Sequence, residues 1–265
     1  MSAKDAEPLL DCLIVGGGPA GLTAATYLAR FHRAFVVVDA GKSRARWIPE
    51  SHNCPGFPFG VAGPALLEKL RTQADTYGAQ IEHARIARLE RDGEAFVATS
   101  DDGRSWRARH VLLATGIVDV MPAMHGLEAG IERHAVRLCA VCDGYEASDE
   151  RIAVLAPADE AIRHALFLRT FSRHVTAIRS EPGAPSAECA RLARAAGVVL
   201  LDVATSLRCD ENQCEVEIGE AVHRFDTLYP VLGSDAQSVL AVALGATVDD
   251  NQELLVDAHM QTNVP

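Results

Sequence analysis

The fold is decided by the stretch Asp11-Cys-Leu-Ile-Val-Gly-Gly-Gly-Pro-Ala-Gly21, where a short apolar run ends in a glycine-rich turn. The apolar run predicts a buried strand. Small and apolar residues at helical spacing over Pro19–Phe31 predict the helix that follows it. A β-branched run over Ala34–Asp39 predicts the next strand. Strand, turn, helix and strand together predict a βαβ unit with a right-handed crossover.

The glycine-rich turn satisfies the pattern G-x-G-x-x-G of dinucleotide-binding sites. Gly16 permits the tight turn, Gly18 lets a pyrophosphate approach the backbone, and Gly21 lets the helix pack closely on the strand. The helix that opens at Pro19 and Ala20 offers unpaired N–H groups to the phosphates. The turn therefore predicts a dinucleotide site, with a ligand-free glycine turn as the alternative.

An acidic residue, Asp39, stands at the end of the second predicted strand. A carboxylate about 20 residues after the glycine turn can hydrogen-bond a ribose hydroxyl of the dinucleotide. We expect Asp39 to have this role.

The composition sets the class of protein. The 265 residues predict about two domains, and 48% hydrophobic residues suffice for a sizeable core. A net charge of −11 and 5% aromatic residues argue against a nucleic-acid partner. No apolar run is long enough to span a membrane, and Met1–Asp11 contains no signal-peptide pattern. We therefore expect a cytoplasmic protein without a membrane partner.

A second βαβ unit is predicted from a strand over Ile152–Ala156, a helix over Asp159–Phe171 and a strand over His174–Ile178. Ala156 and Arg179 are as far apart as Gly16 and Asp39, which indicates a duplicated plan. Other predicted elements are a helix over Ala65–Tyr77 and strands over Ile81–Glu90, Ala95–Thr99, Trp106–Ala114, Val198–Leu201, Cys214–Ile218 and Phe225–Leu232. Asp-Gly pairs at 92–93 and 102–103 predict hairpin turns.

The second motif is Cys139-Ala-Val-Cys142-Asp143-Gly144. Two thiols at this spacing can close a small exchange-competent disulfide. Asp143 can donate a proton to the departing thiolate, or it can be a simple turn residue before Gly144. Structural zinc and an inert coincidence are the alternatives, but zinc needs four ligands and no second C-x-x-C is present. We expect no metal site, because the other cysteines show no ligand-like spacing with histidines; they are Cys12, Cys54, Cys189, Cys209 and Cys214.

The chain resembles the low-molecular-weight thioredoxin reductases. The motifs that carry the resemblance, in the family's order, are Gly16–Gly21, Asn53-Cys-Pro-Gly56, Ala114-Thr-Gly116, Cys139–Gly144 and Gln261-Thr-Asn-Val-Pro265. The resemblance implies an α/β flavoprotein with two Rossmann-like (ββα-type) dinucleotide-binding lobes. The FAD lobe, residues 1–121 and 235–265, would be interrupted by an NAD(P)-binding-like lobe, residues 122–234, that carries the C-x-x-C pair. Hinges would lie near Pro122–Gly126 and Gly233–Asp235.

The resemblance also implies roles for residues. Cys142 would lie against the flavin, Cys139 would attack the partner's disulfide, and Asp143 would be the acid. The residues that would help to hold FAD are Asn53, Thr115 and Gly116. The partner would be a thioredoxin-like protein or a small dithiol or disulfide, and the family is typically homodimeric.

The sequence departs from the family in the second βαβ turn, which reads Ala156-Pro-Ala-Asp159-Glu160 and contains no glycine. Pro157 lacks an N–H donor, and two carboxylates stand where a pyrophosphate would approach. The family's basic cluster for the 2′-phosphate of NADPH is reduced to Arg179 followed by an acid. These departures predict weak or absent NADPH binding.

Three functions stay open at this point. The first is an FAD-dependent dithiol–disulfide oxidoreductase, and the second is an oxidase of small dithiols that uses oxygen. The third is a non-catalytic binding protein with a flavoprotein fold. The family continues beyond the Thr-x-x-Pro segment with which this sequence ends at Pro265. We therefore expect a truncated second part of the FAD lobe.

Overall fold

The computed structural model describes residues 9–210 and 213–265, whose contacts divide into two compact units. Unit 1 contains residues 9–46, 64–118 and 235–265. Unit 2 contains residues 47–63 and 119–234. The chain thus passes between the units at 46/47, 63/64, 118/119 and 234/235.

The strands are β1 (Leu10–Val15), β2 (Phe35–Asp39), β3 (Ile81–His83), β4 (Ile86–Asp92), β5 (Ala95–Ser100), β6 (Ser105–Leu113), β7 (Val118–Asp119), β8 (Ile152–Ala156), β9 (Val175–Arg179), β10 (Val199–Val203), β11 (Ser206–Asp210), β12 (Gln213–Ile218), β13 (Ala221–Phe225), β14 (Thr227–Pro230) and β15 (Ser234–Asp235). The helices are α1 (Pro19–Arg30), α2 (Gly63–Thr76), α3 (Leu127–Glu132), α4 (Ala140–Asp143), α5 (Ala158–Leu168), α6 (Ala187–Ala196) and α7 (Val239–Val242).

Unit 1 is built on a six-stranded sheet in the order β3-β2-β1-β6-β5-β4. The four neighbouring strands β3, β2, β1 and β6 run parallel, and β6, β5 and β4 continue as an antiparallel meander. β2 is buried along its whole length, which is typical of a parallel strand covered on both faces. Two apolar clusters form the core, one centred on Leu13 and Val38 and the other on Ile14 and Val37.

The prediction of one strand over Ile81–Glu90 is wrong, because β3 ends at His83 and β4 begins at Ile86. The N–H of Ala84 donates to the carbonyl of Asp39 at the break. β3 and β4 are the two ends of the strand order, and in a flat sheet they would be roughly 24 Å apart. Two connecting residues reach only about 11 Å. The sheet therefore curls so that its edges approach each other.

Unit 2 contains a parallel sheet in the order β10-β9-β8-β14 and an antiparallel meander in the order β11-β12-β13. Helix α5 covers the parallel sheet with a face repeated at helical spacing, which includes Ile162, Ala165 and Leu168. The predicted strand over Phe225–Leu232 is wrong in its first part. Phe225 ends β13, and Asp226 separates it from β14 by accepting a hydrogen bond from the N–H of Arg151 at 2.9 Å.

Both units contain the predicted strand–turn–helix–strand plan, as β1-α1-β2 and as β8-α5-β9. The N–H of Gly16 donates to the carbonyl of Val38, and the N–H of Ser180 donates to that of Ala156. The predicted class, α/β with two Rossmann-like lobes, is confirmed. Strands β7 and β15 form a separate two-stranded sheet at the chain crossings 118/119 and 234/235.

Candidate functional site

The glycine turn after β1 is shaped by two contacts that exclude any side chain. Gly16 has φ +111°, and a Cβ there would lie 2.3 Å from the carbonyl oxygen of Ala114. A Cβ on Gly21 would lie 1.9 Å from the carbonyl oxygen of Gly16. Helix α1 therefore packs directly on the turn, as close helix–strand packing requires.

Gly18 differs from these two glycines, because a Cβ there would meet only the side chain of Ser43 and no backbone, which leaves room at the start of α1. The atom nearest to an added Cβ would be Oγ of Ser43, at 3.2 Å. Gly18 is the N-cap residue, and no side chain in the described residues caps this helix end. The first helical positions are Pro19 and Ala20, so the end of α1 presents unsatisfied N–H groups beside the space. The turn fits a pyrophosphate, which would cap the helix instead.

Asp39 is buried beneath this turn and is already well bonded. Its Oδ1 accepts hydrogen bonds from the N–H groups of Gly17 at 3.1 Å and Gly41 at 3.0 Å. Its Oδ2 accepts from Nη2 of Arg71 at 3.0 Å. The carboxylate thus fixes the turn, and it retains lone pairs for a ribose hydroxyl. No sequence pattern pointed to Arg71, because its contact with Asp39 depends on how α2 packs.

Of the other residues predicted to hold FAD, Thr115 and Gly116 follow β6 in unit 1, beside the glycine turn. Oγ1 of Thr115 donates to the carbonyl of Gln237 at 3.2 Å. Gly116 has φ +65°, and no described atom would contact a Cβ there. Asn53 belongs to unit 2, where its Oδ1 accepts from Oγ of Ser51 at 2.8 Å. Unit 1 therefore brings together every predicted FAD-binding residue except Asn53.

Cys139 and Cys142 form a disulfide in unit 2, with their Cα atoms 5.2 Å apart. Cys139 is the N-cap residue of the single turn α4, and its carbonyl accepts from the N–H of Cys142 at 2.9 Å. A Cβ on Gly144 would lie 2.6 Å from the carbonyl oxygen of Ala140, so the turn closes tightly. Cys142 is exposed and Cys139 is half-buried, which leaves a sulfur open to a reaction partner.

The carboxyl group of Asp143, next to Cys142, lies between two buried side chains. Oη of Tyr229 donates to its Oδ1 at 2.9 Å. Nη1 of Arg137 lies 3.7 Å from its Oδ2. Both neighbours are positioned by pairing between residues 135–137 and Leu228 of β14. The Arg137 side chain is 7% exposed, and its Nε has no hydrogen-bond partner among the described residues.

The environment of Asp143 changes its acidity. Burial raises the pKa of this carboxyl above its usual range, and the Arg137 charge and the Tyr229 hydroxyl oppose that rise. A carboxyl with a raised pKa keeps its proton closer to neutral pH, so it can donate that proton to a thiolate. Sequence reasoning found Asp143 but missed Arg137 and Tyr229. Arg137 precedes Cys139 by two positions, which was the only available signal.

The second turn, after β8, differs from the first. Helix α5 has Pro157 at its N-cap, with Asp159 and Glu160 in its first turn. Oδ1 of Asp159 accepts from the N–H of Ser186 at 2.7 Å, and Oε1 of Glu160 lies 2.5 Å from Nη1 of Arg163. The hydrogen bond from Ser186 lowers the pKa of Asp159, so this carboxylate is charged at neutral pH. Negative charge therefore lies at the N-terminal end of α5, where a pyrophosphate would approach.

Arg179, the single basic residue where the family has its 2′-phosphate cluster, is engaged within unit 2. Its Nη2 donates to Oδ1 of Asp202 at 2.5 Å, and its Nη1 donates to the carbonyl of Gly183 at 2.7 Å. The Arg179 side chain is only 23% exposed. A phosphate would have to compete with the carboxylate of Asp202 for these donors.

Within residues 9–210 and 213–265, no helix is long and apolar enough to cross a bilayer. The same residues contain no cluster of three or more potential metal ligands.

The comparisons with known proteins agree with this geometry. A thioredoxin reductase of Streptomyces coelicolor is 32% identical over 169 residues, which cover 63% of this chain and 52% of the relative. The chain thus spans about half the length of the curated relatives it matches. The crystal structure of HlmI is 29% identical with a TM-score of 0.88, covering 97% of this chain and 82% of that chain.

A thioredoxin reductase from Streptococcus pyogenes has the same fold, with a TM-score of 0.88 at 23% identity, covering 98% of this chain and 88% of that chain. The sequence profile of the pyridine nucleotide-disulphide oxidoreductases matches residues 10–265. With its duplicated βαβ plan and its Cys139–Cys142 disulfide, the chain belongs to the pyridine nucleotide-disulphide oxidoreductase family.

Proposed function

We propose that this protein is an FAD-dependent disulfide oxidoreductase that transfers two electrons between the flavin and the Cys139–Cys142 disulfide. The observation that carries the proposal is the closed disulfide, with one exposed cysteine, beside a carboxyl of raised pKa. FAD, when bound, supplies a carrier for two electrons. The residues that would hold it are Gly16, Gly18, Pro19, Ala20, Gly21, Asp39, Asn53, Thr115 and Gly116.

The chemistry of the protein's own residues is thiol–disulfide exchange. One thiolate of a dithiol substrate attacks the Cys139–Cys142 disulfide and forms a mixed disulfide with one of the two cysteines. The second thiolate of the substrate then attacks this mixed disulfide and releases the cysteine as a thiolate. The substrate becomes a disulfide, and Cys139 and Cys142 become two thiols. Asp143 protonates the thiolate that leaves, while Tyr229 and Arg137 hold the carboxyl in place. The reverse sequence reduces a disulfide substrate.

A second candidate, an oxidase of small dithiols, is favoured by the turn after β8. Pro157 removes a donor, Asp159 is charged, and Arg179 is paired with Asp202. Each feature opposes a nicotinamide dinucleotide with a 2′-phosphate. Electrons would then enter from the substrate dithiol and leave to oxygen, which is reduced to hydrogen peroxide as the dithiol closes to a disulfide.

An anaerobic titration of the FAD-reconstituted protein tests the proposal. Dithiothreitol should bleach the visible flavin absorbance of the wild-type protein. It should not do so on the same timescale in the double variant Cys139→Ser, Cys142→Ser. Equal bleaching of the two proteins would refute electron transfer through the disulfide. A protein that retains no flavin would favour the non-catalytic alternative.

The same titration with NADPH separates the two candidates. Slow or absent bleaching by NADPH, with oxygen uptake driven by dithiothreitol in air, supports the dithiol oxidase. Prompt bleaching by NADPH makes NADPH the electron donor and shows that the turn after β8 tolerates the cofactor.

The setting and the partners are part of the proposal. A thioredoxin-like protein is supported as a partner by the name of the Streptomyces coelicolor relative, and a small dithiol or disulfide by the second candidate. The cytoplasm is supported as the setting by the absence of a signal-peptide pattern in Met1–Asp11. A homodimer is supported by the resemblance to the low-molecular-weight thioredoxin reductases. Sedimentation of the holoprotein measures its oligomeric state directly.

A further inference from the structure

Two further cysteines meet in unit 2, although their sequence positions gave no sign of a pair. Cys209 in β11 lies directly opposite Cys214 in β12. Their Sγ atoms are 3.2 Å apart.

The register of the hairpin places these two residues at a position where the Cα atoms of the two strands approach closely. The N–H of Cys209 donates to the carbonyl of His125 at 2.9 Å, so it points away from β12. Cys209 and Cys214 are therefore a non-hydrogen-bonded pair, the kind in which facing Cα atoms approach to about 4.5 Å. That separation lies within the range of disulfides.

The surroundings hold both sulfurs in place. Cys209 is 8% exposed and Cys214 is fully buried, in the apolar cluster that includes Val136 and Leu228. The Sγ of Cys214 donates to the carbonyl of Ala135 at 3.3 Å. A Cβ on Gly130 of α3 would lie 2.9 Å from the Sγ of Cys209, so glycine at this position makes room for the sulfur. Neither thiol can turn away from the other without disturbing this packing.

We propose that Cys209 and Cys214 are a second dithiol–disulfide couple, which small disulfides oxidise to a cross-strand bridge. Cys209, the more exposed thiol, attacks the small disulfide and releases one small thiol. Cys214 then attacks the mixed disulfide at Cys209, and the second small thiol leaves. Two S–H bonds are lost and one S–S bond forms in the protein, while the small disulfide gains two electrons and two protons.

The couple reacts more slowly than Cys139–Cys142. Burial raises the pKa of both thiols, so little thiolate is present at neutral pH. Cys142, in contrast, is exposed. The bridge therefore forms under sustained exposure to disulfides rather than in each catalytic turnover. It closes the β11–β12 hairpin covalently.

Peptide mass spectrometry tests this proposal without any flavin chemistry. The reduced protein is incubated with cystamine, denatured, alkylated with iodoacetamide and cleaved with trypsin. One tryptic peptide, Cys209–Arg224, contains both cysteines and no other, and the peptide Leu138–Arg151 contains Cys139 and Cys142 as an internal reference. We expect the peptide Cys209–Arg224 to appear without alkylation and with a mass lower by two hydrogen atoms than that of the reduced peptide. This change should come later than the same change in the reference peptide.

Two variants sharpen the test. In Cys214→Ser the thiol that resolves the mixed disulfide is missing, so Cys209 should keep a cysteamine adduct. Cys189→Ser, which removes a buried cysteine from another cluster, should oxidise as the wild type does. The proposal is overturned if Cys209 and Cys214 are both alkylated after the reference peptide is fully oxidised. It is equally overturned if they carry separate adducts without a bridge.

Discussion

Oη of Tyr229 donates a hydrogen bond over 2.9 Å to Oδ1 of Asp143, and this bond ties β14 to the residue that follows Cys142. The two residues are 86 positions apart in the chain. The bond therefore fixes the carboxyl from a strand of the parallel sheet, which is more rigid than the turn on which Asp143 stands.

Replacement of Tyr229 by Phe should raise the pKa of Asp143 further, because burial persists while a donor to the carboxylate is lost. The pH dependence of the reduction of Cys139–Cys142 by dithiothreitol should shift to higher pH. The free energy of unfolding should fall by about 1 kcal/mol. Tyr145→Phe is the matched control, because Tyr145 is 77% exposed. An unchanged pH profile in Tyr229→Phe would show that the bond does not tune the acid.

Asp143→Asn should change both stability and rate. The pKa of Asp143 is raised in the folded protein, so its contribution to stability is present in acid and is lost as the pH rises through the folded-state value. Asn cannot ionise, so the variant should lack this loss. Its reduction by dithiothreitol should slow by about 10²–10⁴-fold where proton donation limits the rate. Thermal unfolding of both proteins from acid to neutral pH, with stopped-flow reduction, measures the two effects. A parallel pH dependence of stability would contradict the assignment.

Arg137→Met should affect stability differently in acid and at neutral pH. The variant removes a buried donor, Nε, that lacks a partner among the described residues. In acid, where Asp143 is protonated, we expect the variant to be more stable than the wild type by about 1 kcal/mol. At neutral pH this gain should shrink, because the carboxylate loses its positive neighbour. Urea unfolding at both pH values tests this, with Arg137→Lys as the control that keeps the charge. An equal gain in stability at both pH values would be inconsistent with an ion pair between Arg137 and Asp143.

Gly18 and Gly21, the last two glycines of the first turn, should respond differently to replacement by alanine. Gly21→Ala places a Cβ against the backbone of Gly16, so it should destabilise unit 1 by about 1–3 kcal/mol or more. Gly18→Ala requires only that the Ser43 hydroxyl, 3.2 Å from the added Cβ, move by a few tenths of an ångström, so the variant should fold normally. It should still weaken FAD binding by at least about tenfold, since the methyl group occupies the space for the phosphates. Calorimetry of the apoprotein and flavin fluorescence titration measure these effects. Normal FAD affinity in Gly18→Ala would place the pyrophosphate elsewhere.

Local patterns in the sequence sufficed for the central elements of both units. The apolar runs, the glycine turn and the repeated spacing predicted β1-α1-β2 and β8-α5-β9, and the Asp-Gly pairs predicted the turns of the β4-β5-β6 meander. These features depend on residues close in sequence. The strand over Ile81–Glu90 was wrong because both of its parts favour strand and only the curled sheet separates them.

The contacts that position the side chains of the site could not be predicted from the sequence. Tyr229 meets Asp143, and Arg71 meets Asp39, only after distant elements have packed. Cys209 and Cys214 oppose each other only in one register of β11 and β12. If the pairing shifted by one residue, the two sulfurs would lie on opposite faces of the sheet. A list of cysteine spacings carries no information on register.

The pairing of β7 with β15 has a consequence for how such a chain can be assembled. Residues 119–234 leave and re-enter unit 1 through adjacent strands, while residues 47–63 of unit 2 connect to unit 1 by the two other crossings. Because the two ends of residues 119–234 are adjacent, this segment can change in sequence, including its cysteines and its surface charge, without a change in the positions at which it joins unit 1.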